Sequence, residues 1–324
     1  MREKWTLVPS FDLATGTTLT DLYVLLGLTE YNVLGTGSKL ELSVYRERRG
    51  FGFYTSFQEH VYRRDRWALA GWAGYETSEL RFADNEGWFS ATALVYLWTT
   101  SPAIVSDHLR YEVGTFYKRE SIADVTGSVH APSGHVIGGS MLLTWDDYQW
   151  SDLTPNGWRA SLTLSPGFFF GPALPESRQR AELSAKGAIR LTRDTGFMVR
   201  VEAGVGTRGN ANHSLLVGSV SGVRGLEDSL YFNWLQSYSN LELRHAVRFA
   251  ERWALQGVLF ADAGAFEGIT ATGARGSTRV AFSGGLELRL VPTWLSGLIL
   301  RFDVAHLFTP RSTLFYQYGL SQYF

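Results

Sequence analysis

Three sets of side chains in this sequence have the types to do chemistry. The first is seven histidines: His60, His108, His130, His135, His213, His245 and His306. His213 stands beside Ser214 in "NHSLL". No His-x-Ser or Asp-Ser-Asn-Gly arrangement surrounds it, so the signatures of membrane lipases and deacylases are missing. The second set is Asp146, Asp147 and Asp152 in "LTWDDYQWSD". A cation needs convergent oxygen ligands at suitable spacing, and no EF-hand or repeat frames these three, so the stretch reads as a polar turn. Cysteine is absent, which removes disulfides and thiolate metal sites. No catalytic residue, metal site or cofactor is therefore expected.

The third set is a series of charges of both signs: Glu182, Lys186, Arg190, Arg200, Glu202, Glu242, Arg244, Arg248, Glu287 and Arg289. Each alternates with apolar neighbours. In "VAFSGGLELRL" Val280, Phe282, Leu286, Leu288 and Leu290 share one parity, while Ser283, Glu287 and Arg289 take the other. "NLELRHAVRF", "FMVRVEAG", "LSAKGAIRL", "GLILRFDVAH" and "KLELSV" repeat the pattern. Period two means strands with one apolar and one polar face. His245 falls on the apolar parity of its strand. Mixed charge along the polar parity reads as cross-strand pairing that holds a wall, in preference to a selectivity filter.

The elements that must position these residues are long. Alternating segments fall near 4–12, 20–31, 38–48, 51–60, 67–78, 87–98, 107–119, 134–148, 157–167, 180–191, 196–207, 237–249, 252–264, 279–290, 297–308 and 313–324. Soluble strands average about five or six residues, whereas strands that cross a bilayer need about nine to eleven. Trp and Tyr gather near segment ends, where amphipathic rings suit the headgroup level. The expected fold is all-β: a transmembrane antiparallel barrel of about sixteen strands, with twelve or fourteen longer ones as the alternative. A net charge of −1 speaks against nucleic acid. No apolar run reaches the roughly 20 residues of a spanning helix. The opening "MREKWTLVPS" has no apolar h-region. A bacterial outer-membrane barrel whose signal peptide has been removed fits these features together.

One stretch breaks the alternation. "SVSGVRGLEDSLYFNWLQS", residues 219–237, lies in an expected outer loop over 208–236 and holds Arg224 between Val223 and Gly225. "SGVRGLEDS", followed by "LELRHAV" and "LFADAGAF", resembles the C-terminal signature of the BamA/TamA/FhaC superfamily of outer-membrane assembly and secretion barrels. The loop motif is Val223, Arg224, Gly225 and Leu226, with Leu226 where the family has an aromatic residue. The strand motif is Phe260 and Asp262, with Gly264 behind. "TEYNVLGTGSKLELSV" and the aromatic end "GLSQYF" add to the likeness. The resemblance implies sixteen strands and a long sixth outer loop folded into the lumen, with Arg224 meeting Asp262. Parity agrees with that placement, since Asp262 shares its face with Ala254 and Gln256, opposite Trp253, Leu255 and Leu259.

The family's periplasmic POTRA domains have no room before the first strand, so a single barrel domain over 1–324 without a POTRA domain is expected. The implied function is non-enzymatic insertion or translocation of a protein or lipid substrate at a weak seam between first and last strands. Pro9, Gly319 and Phe324 mark that seam. Pro9 lacks a ladder donor, and Gly319 is read as a place where the last strand weakens or bends. Two alternatives stand beside it: a closed structural or partner-binding barrel without transport, and a passive pore. Expected partners are outer-membrane lipid, a second copy of the chain, and a periplasmic accessory or client protein.

Overall fold

The structure is a computed structural model that describes residues 7–15, 23–33, 35, 38–47, 50–58, 70–81, 88–104, 106, 108–124, 134–151, 153–171, 176–207, 215–217, 222–226, 231–269, 275–293, 299–309 and 312–319. Among them every regular element is a strand: β1 (Leu7–Thr15), β2 (Tyr23–Val33), β3 (Ser38–Glu47), β4 (Gly50–Gln58), β5 (Ala70–Arg81), β6 (Trp88–Ile104), β7 (Leu109–Asp124), β8 (Gly134–Asp146), β9 (Gln149–Ser151), β10 (Thr154–Phe170), β11 (Glu176–Arg190), β12 (Thr195–Gly206), β13 (Leu215–Val217), β14 (Tyr231–Ala250), β15 (Trp253–Ile269), β16 (Arg275–Pro292), β17 (Leu300–Thr309) and β18 (Thr313–Gly319). All except β9 and β13 have seven residues or more. Sequential long strands pair antiparallel in one sheet, and β1 pairs with both β2 and β18.

The sheet is inside out compared with a soluble protein. On β16, Leu286 is 64% exposed while Glu287 and Arg289 beside it are 3% and 0% exposed. β14 repeats this: Leu241, Leu243 and Val247 are exposed, and Asn240, Glu242 and Arg244 are buried. Water offers no reason to display such a belt and bury such charges, because apolar surface costs about 25 cal/mol per Å² when exposed. A hydrocarbon solvent reverses the preference.

Several elements differ from the alternation in the sequence. The stretch 208–236 is not all loop, because β13 pairs with the start of β14, Leu215 opposite Asn233 and Val217 opposite Tyr231. "LLV" is too short to show a period, so the alternation misses it. β10 begins at Thr154, and its first three residues form a tight hairpin with β9 instead of joining the wall. Gly157 makes the bend. Its φ of +100° is open to glycine at little cost, and a Cβ there would lie 2.4 Å from the Asp147 carbonyl oxygen.

Two of the seam residues lie within the described strands. Pro9 sits in an unbroken register with β2, opposite Leu28. Gly319 is the last described residue of β18. It is paired on both sides, with Arg301 of β17 and with Ala14 of β1. A Cβ at Gly319 would stand 2.8 Å from the Leu13 carbonyl oxygen and 2.8 Å from Arg301 Nε. The residue is small where two strands and a guanidinium meet, and the β1–β18 ladder in which it lies is two residue pairs long among the described residues, Ala14 opposite Gly319 and Thr15 opposite Tyr318. Phe324 lies outside the described residues.

Candidate functional site: a buried arginine latch

Residues 222–226 lie against the polar face of β14–β18. Val223 and Arg224 are fully buried and Leu226 nearly so. The segment holds its shape by a turn in which Leu226 N–H donates to the Val223 carbonyl at 3.1 Å. The third residue of that turn, Gly225, has φ +85°, a position that favours glycine in such turns. Asn240 Nδ2 donates to the Gly222 carbonyl at 2.8 Å and pins the entry.

Apolar contacts seat the turn. Val223 and Leu226 pack with Tyr238, Phe266, Ala281 and Leu307, and Phe315 closes the edge. Gly264 permits that seat, since a Cβ there would approach Val223 Cγ2 to 2.8 Å. Gly225 in turn lies close enough to β18 that its Cβ would meet the Phe315 ring at 3.0 Å.

The guanidinium of Arg224 is held on every side. Nε and Nη2 donate to the two oxygens of Asp262, each at 2.8 Å, and the Arg224 backbone N–H adds a third bond to Oδ2 at 3.1 Å. This is the bidentate fork that suits arginine and carboxylate. Nη1 donates to Glu242 at 2.8 Å and to Glu287 at 3.2 Å. The Phe260 ring lies beneath, 3.6 Å from Cζ, in cation–π geometry. The carboxylates are themselves held: Arg244 Nε donates to Glu242 at 2.7 Å, and Arg289 Nη2 donates to Glu287 at 2.8 Å. Arg224, Arg244 and Arg289 balance Asp262, Glu242 and Glu287. Buried charge at this density needs such compensation, because each isolated ion would cost several kcal/mol.

The remaining charges separate into groups. Arg180 pairs with Glu182. Arg200 pairs with Glu202, which also accepts from Tyr238. Lys186 Nζ lies 4.6 Å from the Tyr148 ring centre. Arg190 and Arg248 lie near the ends of their strands and are exposed. Arg190 reaches back to Thr154, with Nε donating to Oγ1 and Nη2 to the carbonyl, both at 3.0 Å. His245 is exposed, with Nδ1 2.8 Å from Thr195 Oγ1. Asp146 pairs with Arg159, and Asp147 accepts the Trp158 N–H, so neither faces a shared cation. Asp152 lies outside the described residues.

Sequence reading missed Gln256, Tyr238 and Asn240 as members of the site, together with buried Arg178, Arg301 and Asp303. Strand parity does place Gln256, Asn240 and Asp303 on the polar face. What parity lacks is any sign of which polar positions meet the inserted loop.

No family model matches the chain, and no curated protein does. Solved structures do. BamA from Haemophilus ducreyi lacking POTRA domains 1–3 aligns with 99% of this chain at a TM-score of 0.72 and 16% identity. CdiB from Escherichia coli aligns with 99% at 0.69 and 10% identity, and CdiB from Acinetobacter baumannii with 98% at 0.65 and 12%. The chain spans 71% of that BamA chain, but only 64% and 60% of the two CdiB chains. At such identities the likeness is one of fold: an antiparallel β-barrel of the BamA and CdiB kind.

Proposed function

We propose that this chain is a non-enzymatic, sixteen-stranded outer-membrane barrel that passes or inserts a protein or lipid client, and that residues 222–226 are its inner latch. The observation that carries the reading is Arg224, fully buried and bonded to Asp262, Glu242 and Glu287 on three different strands. One inserted side chain thereby ties three neighbouring strands of the inner wall together, which favours a loop held inside the barrel over an open, passive pore. The outward apolar belt supports a lipid-facing surface, and the fold shared with BamA and CdiB supports the outer membrane. Client insertion or translocation follows from the Val223–Leu226 and Phe260–Asp262 resemblance.

Proteoliposomes test this. The chain should accelerate folding of an unfolded outer-membrane strand protein into the bilayer, and removing 219–235 should change that rate and raise conductance. A steady conductance that ignores the deletion, with no acceleration, would leave the passive pore as the better reading. A homodimer, or a periplasmic accessory chain that delivers the client, completes the proposal. Mass measurement in nanodiscs with cross-linking in cells checks it, and a lone monomer in both removes it.

A further inference from the structure

The barrel is entered from both ends. The β12–β14 connection brings Arg224 in from one, and the β9–β10 hairpin enters at the other, beside the 191–194 and 251–252 turns. Leu153, at the hairpin tip, is 5% exposed and packs on Ala246, Ala254 and Val291 at the far ends of β14, β15 and β16. Thr154 beside it is fully buried and is held by Arg190 on one side and by the Arg193 carbonyl on the other. Gly157 supplies the bend that turns the hairpin inward.

The two inserts are joined by one run of side chains. Gln256 Nε2 donates to the Leu153 carbonyl at 3.1 Å. Gln256 Oε1 accepts from Arg289 Nη1 at 3.3 Å. Arg289 then bonds Glu242 and Glu287, the two carboxylates that also take Arg224 Nη1. Every member of that run is at most 5% exposed. Such a path has few ways to relax locally, because a group released from it is left buried and unpaired.

We infer that the hairpin tip Leu153–Thr154 is a second plug, and that Gln256 is the positioning residue coupling it to the Arg224 latch. Release of either insert then loosens the other, since coupling between two sites is reciprocal. An event at the hairpin end of the barrel can thus reach the latch without touching it. The inference deepens the proposed gating, yet its test needs no client and no transport.

The chain has no cysteine, so Leu153→Cys is a clean probe of the hairpin. Trypsin cleavage after Arg224 reports the latch, because a fully buried arginine cannot enter a protease. In the full chain in detergent, Gln256→Met keeps the side chain's length and removes both bonds. It should speed maleimide labelling at Leu153→Cys and cleavage after Arg224, each at least about tenfold, the scale of one lost buried hydrogen bond. Gly157→Val, which attacks the hairpin bend and leaves the wall intact, should speed cleavage after Arg224 as well. Heat-modifiable electrophoretic mobility shows that each variant retains its barrel. Faster labelling without faster cleavage would overturn the coupling. No change in either would overturn the plug too. A failure of client insertion with both effects present would count against the proposed function alone.

Discussion

At the scale of single residues, the latch depends on arginine in particular. Lysine carries the same charge but only as a point, and it cannot serve Asp262 with two parallel bonds while reaching Glu242 and Glu287. Arg224→Ala should release the turn, with an expected loss of about 3–5 kcal/mol because three buried carboxylates lose their shared partner. Arg224→Lys should fall between the two. The check is urea unfolding in detergent together with tryptic cleavage after Arg224 or the lysine that replaces it; for the alanine variant, which has lost that site, chymotryptic cleavage after Leu226 is read by mass instead. A second residue-scale prediction concerns Gly264. Its replacement by alanine would push a Cβ to within 2.8 Å of Val223 Cγ2. Overpacking of that kind costs about 1–3 kcal/mol. Adding Val223→Ala to the same chain should recover much of the loss, and a double variant no better than the single one would refute the contact. These residues were unequally legible. The Arg224 and Asp262 positions stand out by motif and by parity. Gln256 and Asn240 look like any polar residue on an alternating strand, and only the paths of the β9–β10 hairpin and of the inserted loop give them their partners at Leu153 and Gly222.

At the scale of elements, alternation is a strong guide because a two-sided sheet in lipid has no other way to satisfy both solvents. It therefore marks β14, β15 and β16 well, yet it fails where the chain leaves the wall. β9 with the first residues of β10, and β13 with the start of β14, form three-residue ladders, too short to have a period, and the bend at Gly157 sets the place of the first. The glycine at 319 carries a further feature that alternation does not show. Sequence alone reads it as a place where the strand weakens or bends, and its neighbours add a close approach of β1, β18 and the Arg301 side chain at a ladder of two residue pairs. That approach can be measured. With Thr15→Cys and Tyr318→Cys, which occupy opposed positions in the β1–β18 ladder, oxidation should link the two strands in an otherwise native chain. Adding Gly319→Val should lower the yield, because the backbone carbonyl of Leu13 cannot yield as a flexible side chain would. An undiminished yield would mean that the strands meet loosely and that the glycine is not required. If the client-insertion reading holds, the cross-link should also stop activity.

At the scale of the whole molecule, the distribution of polarity divides the work between two surfaces. The outer belt, with residues such as Phe249 at 62% and Leu286 at 64% exposure, asks for hydrocarbon and holds the barrel at its depth. The inner face carries a balanced ionic cluster that would be costly in a dry core without the loop arginine at its centre. On the proposed function, the barrel's resting state is shut by its own chain. In a planar bilayer the native protein should therefore show rare, small openings, fewer than a barrel of this strand number would show if empty. Deleting 219–235 should convert these to a larger and steadier conductance. Replacing the hairpin tip 149–153 by a short Gly-Ser turn should raise opening frequency with the outer loop still present, because the loop then loses its support through Gln256 and Arg289. Salt adds a discriminating arm. The latch charges are fully buried, so mobile ions screen them little, and the opening frequency of the native chain should change only weakly between low and high ionic strength. A conductance that rises steeply with salt beyond the bulk increase would place the controlling charges at the surface, on groups such as Arg190 and Arg248, and would remove the buried cluster as the gate.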